Sequence, residues 1–226
     1  MVPRILIDRA EIPGGDGELR LIKRGEEYSI MLGSNELMNS RLSGSEEALA
    51  SLACARIAGR KGPALLIGGL GMGFTLRAAL AQLGPEAKLV VAELVPAVVE
   101  WARGPLAHLF GDSLTDPRLS IVEADVGDLI GDSSGHYDAI LLDVDNGPDG
   151  LTHEGNDRLY NKAGLRRAWA ALRPGGVLAI WSAAADRAFS HRLGKTGFEV
   201  EEVRVRAASG GRGAHHVVWI ASKTAN

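Results

Sequence analysis

The stretch Ala64-Leu65-Leu66-Ile67-Gly68-Gly69-Leu70-Gly71-Met72-Gly73-Phe74 decides the fold. Four apolar residues, 64–67, have the length and composition of a buried strand. They run into four glycines within six positions, and an apolar, helix-like segment over 74–83 follows. Glycines accept positive φ and let a ligand come close to the backbone, so a strand-to-helix turn of this kind can aim N–H groups at something bound. A plain tight turn is the bland alternative. Glu93, at the end of the next strand, favours a nucleoside cradle.

Downstream, strands and helices alternate. Residues 88–92 form a second strand ending in Glu93, and Pro96 opens a helix that Gly104-Pro105 interrupts. A third strand, 119–122, ends at Glu123-Ala124-Asp125, and a fourth, 138–142, at Asp143. A loop over 144–160 precedes a helix over 162–172, a fifth strand over 177–181 and a helix over 184–195. Strands over 198–205 and 215–221 close the chain. Their connection, 207–214, is too short for a parallel crossover, so these two strands pair antiparallel. The pattern predicts an α/β fold with a mostly parallel, seven-stranded sheet and a terminal antiparallel hairpin.

Upstream the character differs. Short strand candidates at 5–7, 19–22 and 28–32 predict a small N-terminal β flap within a segment bounded at 1–42, with too few apolar residues for a core of its own. The main α/β domain is expected over 43–226. Ser43 with Glu46 three residues later fits a capping box at the start of a helix carrying Ala48, Leu49, Leu52, Ala53 and Ile57.

Composition narrows the function classes. The chain has 226 residues, 46% hydrophobic, with 25 basic against 28 acidic residues and a net charge of −3. That balance gives no electrostatic case for nucleic acid or for an anionic membrane. Cys54, the one cysteine, lies in an alanine-rich helical run and reads as a small buried residue. The N-terminus has no long apolar core of a signal peptide and no stretch reaches 18 apolar residues, so a cytoplasmic protein is expected. The six histidines suggest no metal site.

Glu93, Asp125 and Asp143 each stand at the carboxyl end of a strand, the sheet edge where ligands bind in open α/β folds. A carboxylate such as Glu93 can accept from two neighbouring ribose hydroxyls. Asp125 suits an exocyclic adenine amine or, alternatively, the N-cap of the turn that begins at Val126. Asp143 can hold a ligand ammonium or take a proton from a nucleophilic amine. Asp145 can do the same from the loop or serve as a turn acceptor. His153 is a general-base candidate, with a surface loop histidine as the alternative. Gly69-x-Gly71-x-Gly73 departs from the dinucleotide fingerprint, because position 74 is Phe, and no Lys-Ser/Thr follows as in a phosphate loop.

These motifs resemble the class I S-adenosylmethionine-dependent methyltransferase fold, a Rossmann-like architecture, and within it the spermidine synthase (polyamine aminopropyltransferase) family. The likeness runs from about residue 64 to 181. Residues 65–73 look like the family's nucleotide loop, Asp116-Pro117-Arg118-Leu119 like a segment before the third strand, and 137–143 like the strand whose terminal Asp faces the amine. It implies a cofactor site of Gly68, Gly69, Gly71, Gly73, Glu93, Leu94, Ala124, Asp125 and Asp143. S-adenosylmethionine, or its decarboxylated form, would be the cofactor, a small molecule the acceptor, and a homodimer the assembly. No metal is implied.

Three departures bear on the reaction. The family has an acid where Gly71 stands. The acid after Asp143 is shifted in Val144-Asp145-Asn146-Gly147-Pro148. The N-terminal part is shorter and lacks the family's tyrosine-glutamine motif. An acid at 71 would repel the carboxylate of ordinary S-adenosylmethionine, so Gly71, with free backbone N–H groups, predicts preference for that cofactor. The expected function is methyl transfer to a small molecule, with catalysis from Asp143, Asp145 and His153. The alternatives are aminopropyl transfer and a non-catalytic nucleoside-binding structural or regulatory protein.

Overall fold

Two sheets share one core. The computed structural model describes residues 2–15, 17–144, 158–208 and 213–225. The N-terminal sheet is an antiparallel meander of β1 (Ile5–Glu11), β2 (Glu18–Arg24), β3 (Glu27–Leu32) and β4 (Asn35–Asn39). Its alternation turns Leu19, Leu21, Tyr28 and Ile30 inward, as expected of a sheet with one buried face. The fourth strand is additional to the three expected from sequence. Asn35-Glu36-Leu37-Met38-Asn39 is too polar to read as a strand, yet it pairs with β3.

The larger sheet comprises β5 (Ala64–Gly68), β6 (Lys88–Glu93), β7 (Leu119–Glu123), β8 (Tyr137–Leu142), β9 (Leu172–Ser182), β10 (Glu199–Arg206) and β11 (His215–Ser222). Its strand order is β10-β11-β9-β8-β5-β6-β7. The five strands from β9 to β7 run parallel, and β11 lies antiparallel between β9 and β10. Every residue of β5 and β8 is buried, because helices cover both faces of a parallel sheet. These are α1 (Gly44–Arg56), α2 (Phe74–Gln82), α3 (Pro96–Arg103), α4 (Ala107–Phe110), α5 (Val126–Gly131), α6 (Lys162–Ala171) and α7 (Arg187–Thr196). β9 begins five residues before the expected 177. Its Arg173–Gly176 segment is accommodated by a register shift against β8, between Tyr137 and Ala139.

The capping box at α1 does not form. Ser43 is the N-cap, but its hydroxyl donates to Glu47 Oε1 at 2.8 Å rather than capping the helix. Glu46 takes the hydroxyl of Ser45 at 2.7 Å and borders a cavity. Cys54 is buried in the core, and burial pushes its thiol up to about 11, which leaves it unreactive. One apolar cluster joins Leu21, Tyr28 and Ile30 of the N-terminal sheet to Leu49 of α1, Leu70 of the glycine turn and Val91 of β6. The seam between the sheets places the cavity.

Candidate functional site

The glycine turn is fixed by close backbone contacts. Gly69 has φ 90°, and a Cβ there would lie 2.5 Å from the carbonyl oxygen of Asp143. Gly73, the N-cap of α2, has φ 75°, and a Cβ there would strike the Phe110 ring at 2.3 Å. Only glycine fits either place without moving a neighbour. Gly68 ends β5 beneath Val126, and its carbonyl accepts from Asp143 N at 3.0 Å, which sets β8 beside the turn.

This arrangement brings most of the expected site together. Gly69, Gly71, Glu93, Leu94, Ala124, Asp125 and Asp143 border one cavity of about 170 Å³ along the carboxyl edge of the sheet. Gly68 and Gly73 shape the turn without bordering it. Ile12, Leu19, Ile30, Leu37 and Met38 close the opposite side from the N-terminal sheet and the segments flanking its strands. Asp145 and His153 lie outside the described residues.

Glu93 is buried rather than solvated. Its Oε2 accepts from Leu70 N at 2.8 Å and its Oε1 from Val95 N at 2.9 Å. Burial raises its pKa, and the backbone donors, Val95 first, oppose that rise. The backbone N–H groups of Gly71 and Leu94 also act on this carboxylate, which borders the cavity. Asp125 caps α5, accepting from Gly127 N at 2.7 Å through Oδ1, while Oδ2 lies 3.8 Å from Arg158. The N-cap role weighed for Asp125 is therefore filled, and the residue borders the cavity as well.

Asp143 continues from β8 at the floor of the cavity. Its Oδ2 takes the hydroxyl of Thr75, in the first turn of α2, at 2.6 Å. Burial pushes its pKa up to about 6 against that hydrogen bond. Glu46 faces the same space from α1. Burial, and then the charge of Asp143, raises Glu46 to about 7. Two carboxylates so placed share protons near neutrality, and a cation between them would restore both charges.

Glu46 was hidden in the sequence because Ser43-x-x-Glu46 reads as a helix signal. Its neighbour Glu47, which accepts the Ser43 hydroxyl, could have suggested that Glu46 was free for another use. Met38 also went unread. Its Sδ accepts from Met72 N at 3.2 Å, and a Cβ on Gly71 would lie 2.9 Å from that sulfur. The space opened by Gly71 thus holds a thioether, and the N–H groups expected to be free are engaged, Met72's by that sulfur and Gly71's by Glu93. Asp116 is bound by Arg118, whose hydrogen bonds hold its pKa down to about 2, and Arg118 reaches the Leu83 carbonyl at 2.6 Å. That segment braces the entry to β7. Among the described residues no cluster of side chains could hold a metal ion.

A sheet of this order matches a known architecture. The spermidine synthase of Thermotoga maritima superposes with a TM-score of 0.76 and 19% identity, covering 98% of this chain and 74% of that one. The chain has the fold of spermidine synthase, a class I methyltransferase-like fold.

Sequence similarity points the same way. The polyamine aminopropyltransferase of Corynebacterium efficiens is 33% identical over 125 residues, 54% of this chain and 23% of that protein. The polyamine aminopropyltransferase of Mycobacterium tuberculosis is 34% identical over 119 residues, 51% of this chain and 22% of that protein. The chain thus spans less than a quarter of the length of these curated relatives. No family model matches it.

Proposed function

We propose that this protein is an adenosyl-sulfonium-dependent transferase that moves an aminopropyl group onto an amine. The observation that carries this reading is the pairing of Glu46 with Asp143 in the cavity. The buried Glu46 and the partly buried Asp143 together favour ligands that bring ammonium groups and disfavour the carboxylate of ordinary S-adenosylmethionine. Glu46 thereby restores from α1 the acid missing at Gly71. The similarity to polyamine aminopropyltransferases supports the same substrate class.

In this reading Glu93 holds the ribose hydroxyls, Ala124 and Asp125 border the adenine, and Leu94 packs beside the nucleoside. The turn of Gly69 and Gly71 lets the ligand approach the backbone. Decarboxylated S-adenosylmethionine, when bound, supplies a sulfonium whose neighbouring carbon is open to displacement. Asp143 and Glu46 orient the ammonium groups and accept the proton that the acceptor amine must lose. The apolar wall from Ile12 to Met38 keeps the site poor in water, which strengthens these interactions. Asp145 and His153 are further proposed members of the acid–base set, and a homodimer is the proposed assembly.

Methyl transfer from ordinary S-adenosylmethionine is the second reading, and Gly71 favours it. Calorimetry separates the two. Aminopropyl transfer predicts at least about tenfold tighter binding of the decarboxylated cofactor, the equivalent of about 1.4 kcal/mol, together with alkylation of putrescine. Tighter binding of ordinary S-adenosylmethionine, with no alkylated polyamine by mass spectrometry, would favour methyl transfer.

A further inference from the structure

A chain of hydrogen bonds leads from the cavity to a half-buried histidine near the start of β11. Ser45 is 1% exposed, and its hydroxyl donates to Glu46 Oε2 at 2.7 Å. On its other side the same oxygen lies 2.9 Å from His216 Nδ1. His216, the second residue of β11, has its ring half-buried, whereas His215, which begins the strand, is exposed. Successive residues of a strand face opposite ways, so the pair His215-His216 sends one ring inward and one out. Trp181 of β9, which borders the cavity, meets the His216 ring edge-on at 4.8 Å. Val205 stands opposite His216 in β10. The carboxylates on the cavity side of the ring are Glu46 and, beyond it, Asp143.

We infer that Ser45 and His216 form a proton relay that carries a proton from the Glu46–Asp143 pair to solvent. The inference rests on the proposed amine alkylation, which must dispose of a proton. An acceptor ammonium gives one proton to Glu46 and becomes a free amine. The amine nitrogen then forms a bond to carbon while the carbon–sulfur bond breaks and its electron pair stays on sulfur. The products are a neutral thioether and a secondary ammonium, so charge balances once the proton on Glu46 leaves. Glu46 passes it to Ser45 Oγ as Ser45 passes its own to His216 Nδ1. This leaves Nδ1–H toward Oγ and Oγ–H toward Glu46; the imidazolium releases its Nε2 proton to water, and proton exchange with water returns the ring to the Nε2–H tautomer that accepts again at Nδ1. Burial lowers the pKa of His216, which speeds that release.

Two measurements test the relay. In the ligand-free protein, 15N spectra of His216 are expected to show two steps with pH, its own and one following the carboxylate pair. Ser45→Ala should remove the second step. A single step that is unchanged in Ser45→Ala overturns the relay, whatever the reaction. In the transfer assay, His216→Asn keeps a donor beside Ser45 and so meets a purely structural need. It should nevertheless lower kcat about 10²-fold with KM unchanged, and free imidazole should restore His216→Ala. Full kcat in His216→Asn overturns the relay. If the wild-type protein alkylates no amine, the proposed function fails, and the spectra still decide the relay.

Discussion

Glu46 and Asp143 carry a stability signature as well as a chemical one. Both carboxyls have folded-state pKa values above their ordinary ones, about 7 and about 6 against 4.5 and 3.8. Such a group binds its proton more tightly when folded, so its contribution is fully present below the unfolded pKa and is lost as pH rises through the folded one. The ligand-free protein should therefore lose stability between about pH 4 and pH 7 from these two residues. Asp143→Asn keeps an acceptor for Thr75 and removes the charge. It should raise Tm at pH 8 by the equivalent of about 1–3 kcal/mol, with cavity water holding the gain below the full linkage value. The gain should vanish near pH 4. Thermal melts across that range check the sign, and an equal effect at both ends would show that Asp143 ionises freely in the folded protein.

The elements that could be read from sequence are those with strong periodicity and firm punctuation. β5, α2, β6 and α3 fall where the Gly-rich turn, Glu93 and Pro96 put them, and the terminal hairpin follows from a short connection. What escaped reading depends on distant partners. β4 is a strand because β3 supplies its hydrogen bonds, not because its residues favour extension. Glu46 turns from the helix end toward Ser45 and the cavity, which a local capping pattern cannot register. Asp138 is a third case, a charge inside a strand whose residues are all buried. It is held by Arg60 and by Arg173 at 2.6 Å and accepts from Ala64 N at 2.8 Å. This ties the starts of β5 and β8 together, at the end of the sheet opposite the cavity. Asp138→Ala would leave the buried Ala64 N–H without its acceptor and release two partly exposed guanidinium groups to solvent, and should cost about 1–3 kcal/mol. Chemical denaturation would measure it, and a loss under about 1 kcal/mol would make the cluster a surface feature.

The position of the cavity makes the two sheets one unit. Its floor is the carboxyl edge of the parallel sheet and its opposite wall comes from the N-terminal sheet, so neither completes the site without the other. The apolar cluster crosses the seam, and Asp8 of β1 accepts from the Trp101 indole of α3 at 2.7 Å. A sheet that depends on its neighbour for a core has no reason to melt separately. Leu21 lies at that seam, fully buried. Leu21→Ala should lower stability by about 2–5 kcal/mol and shift the near- and far-ultraviolet circular dichroism transitions together. The same substitution loosens the wall formed by Leu19 and Ile30, so nucleoside affinity should fall at temperatures where the protein remains folded. Two separated transitions in the variant would mean that the N-terminal sheet opens independently, and the cavity would then be gated by that opening rather than built by a single folding event.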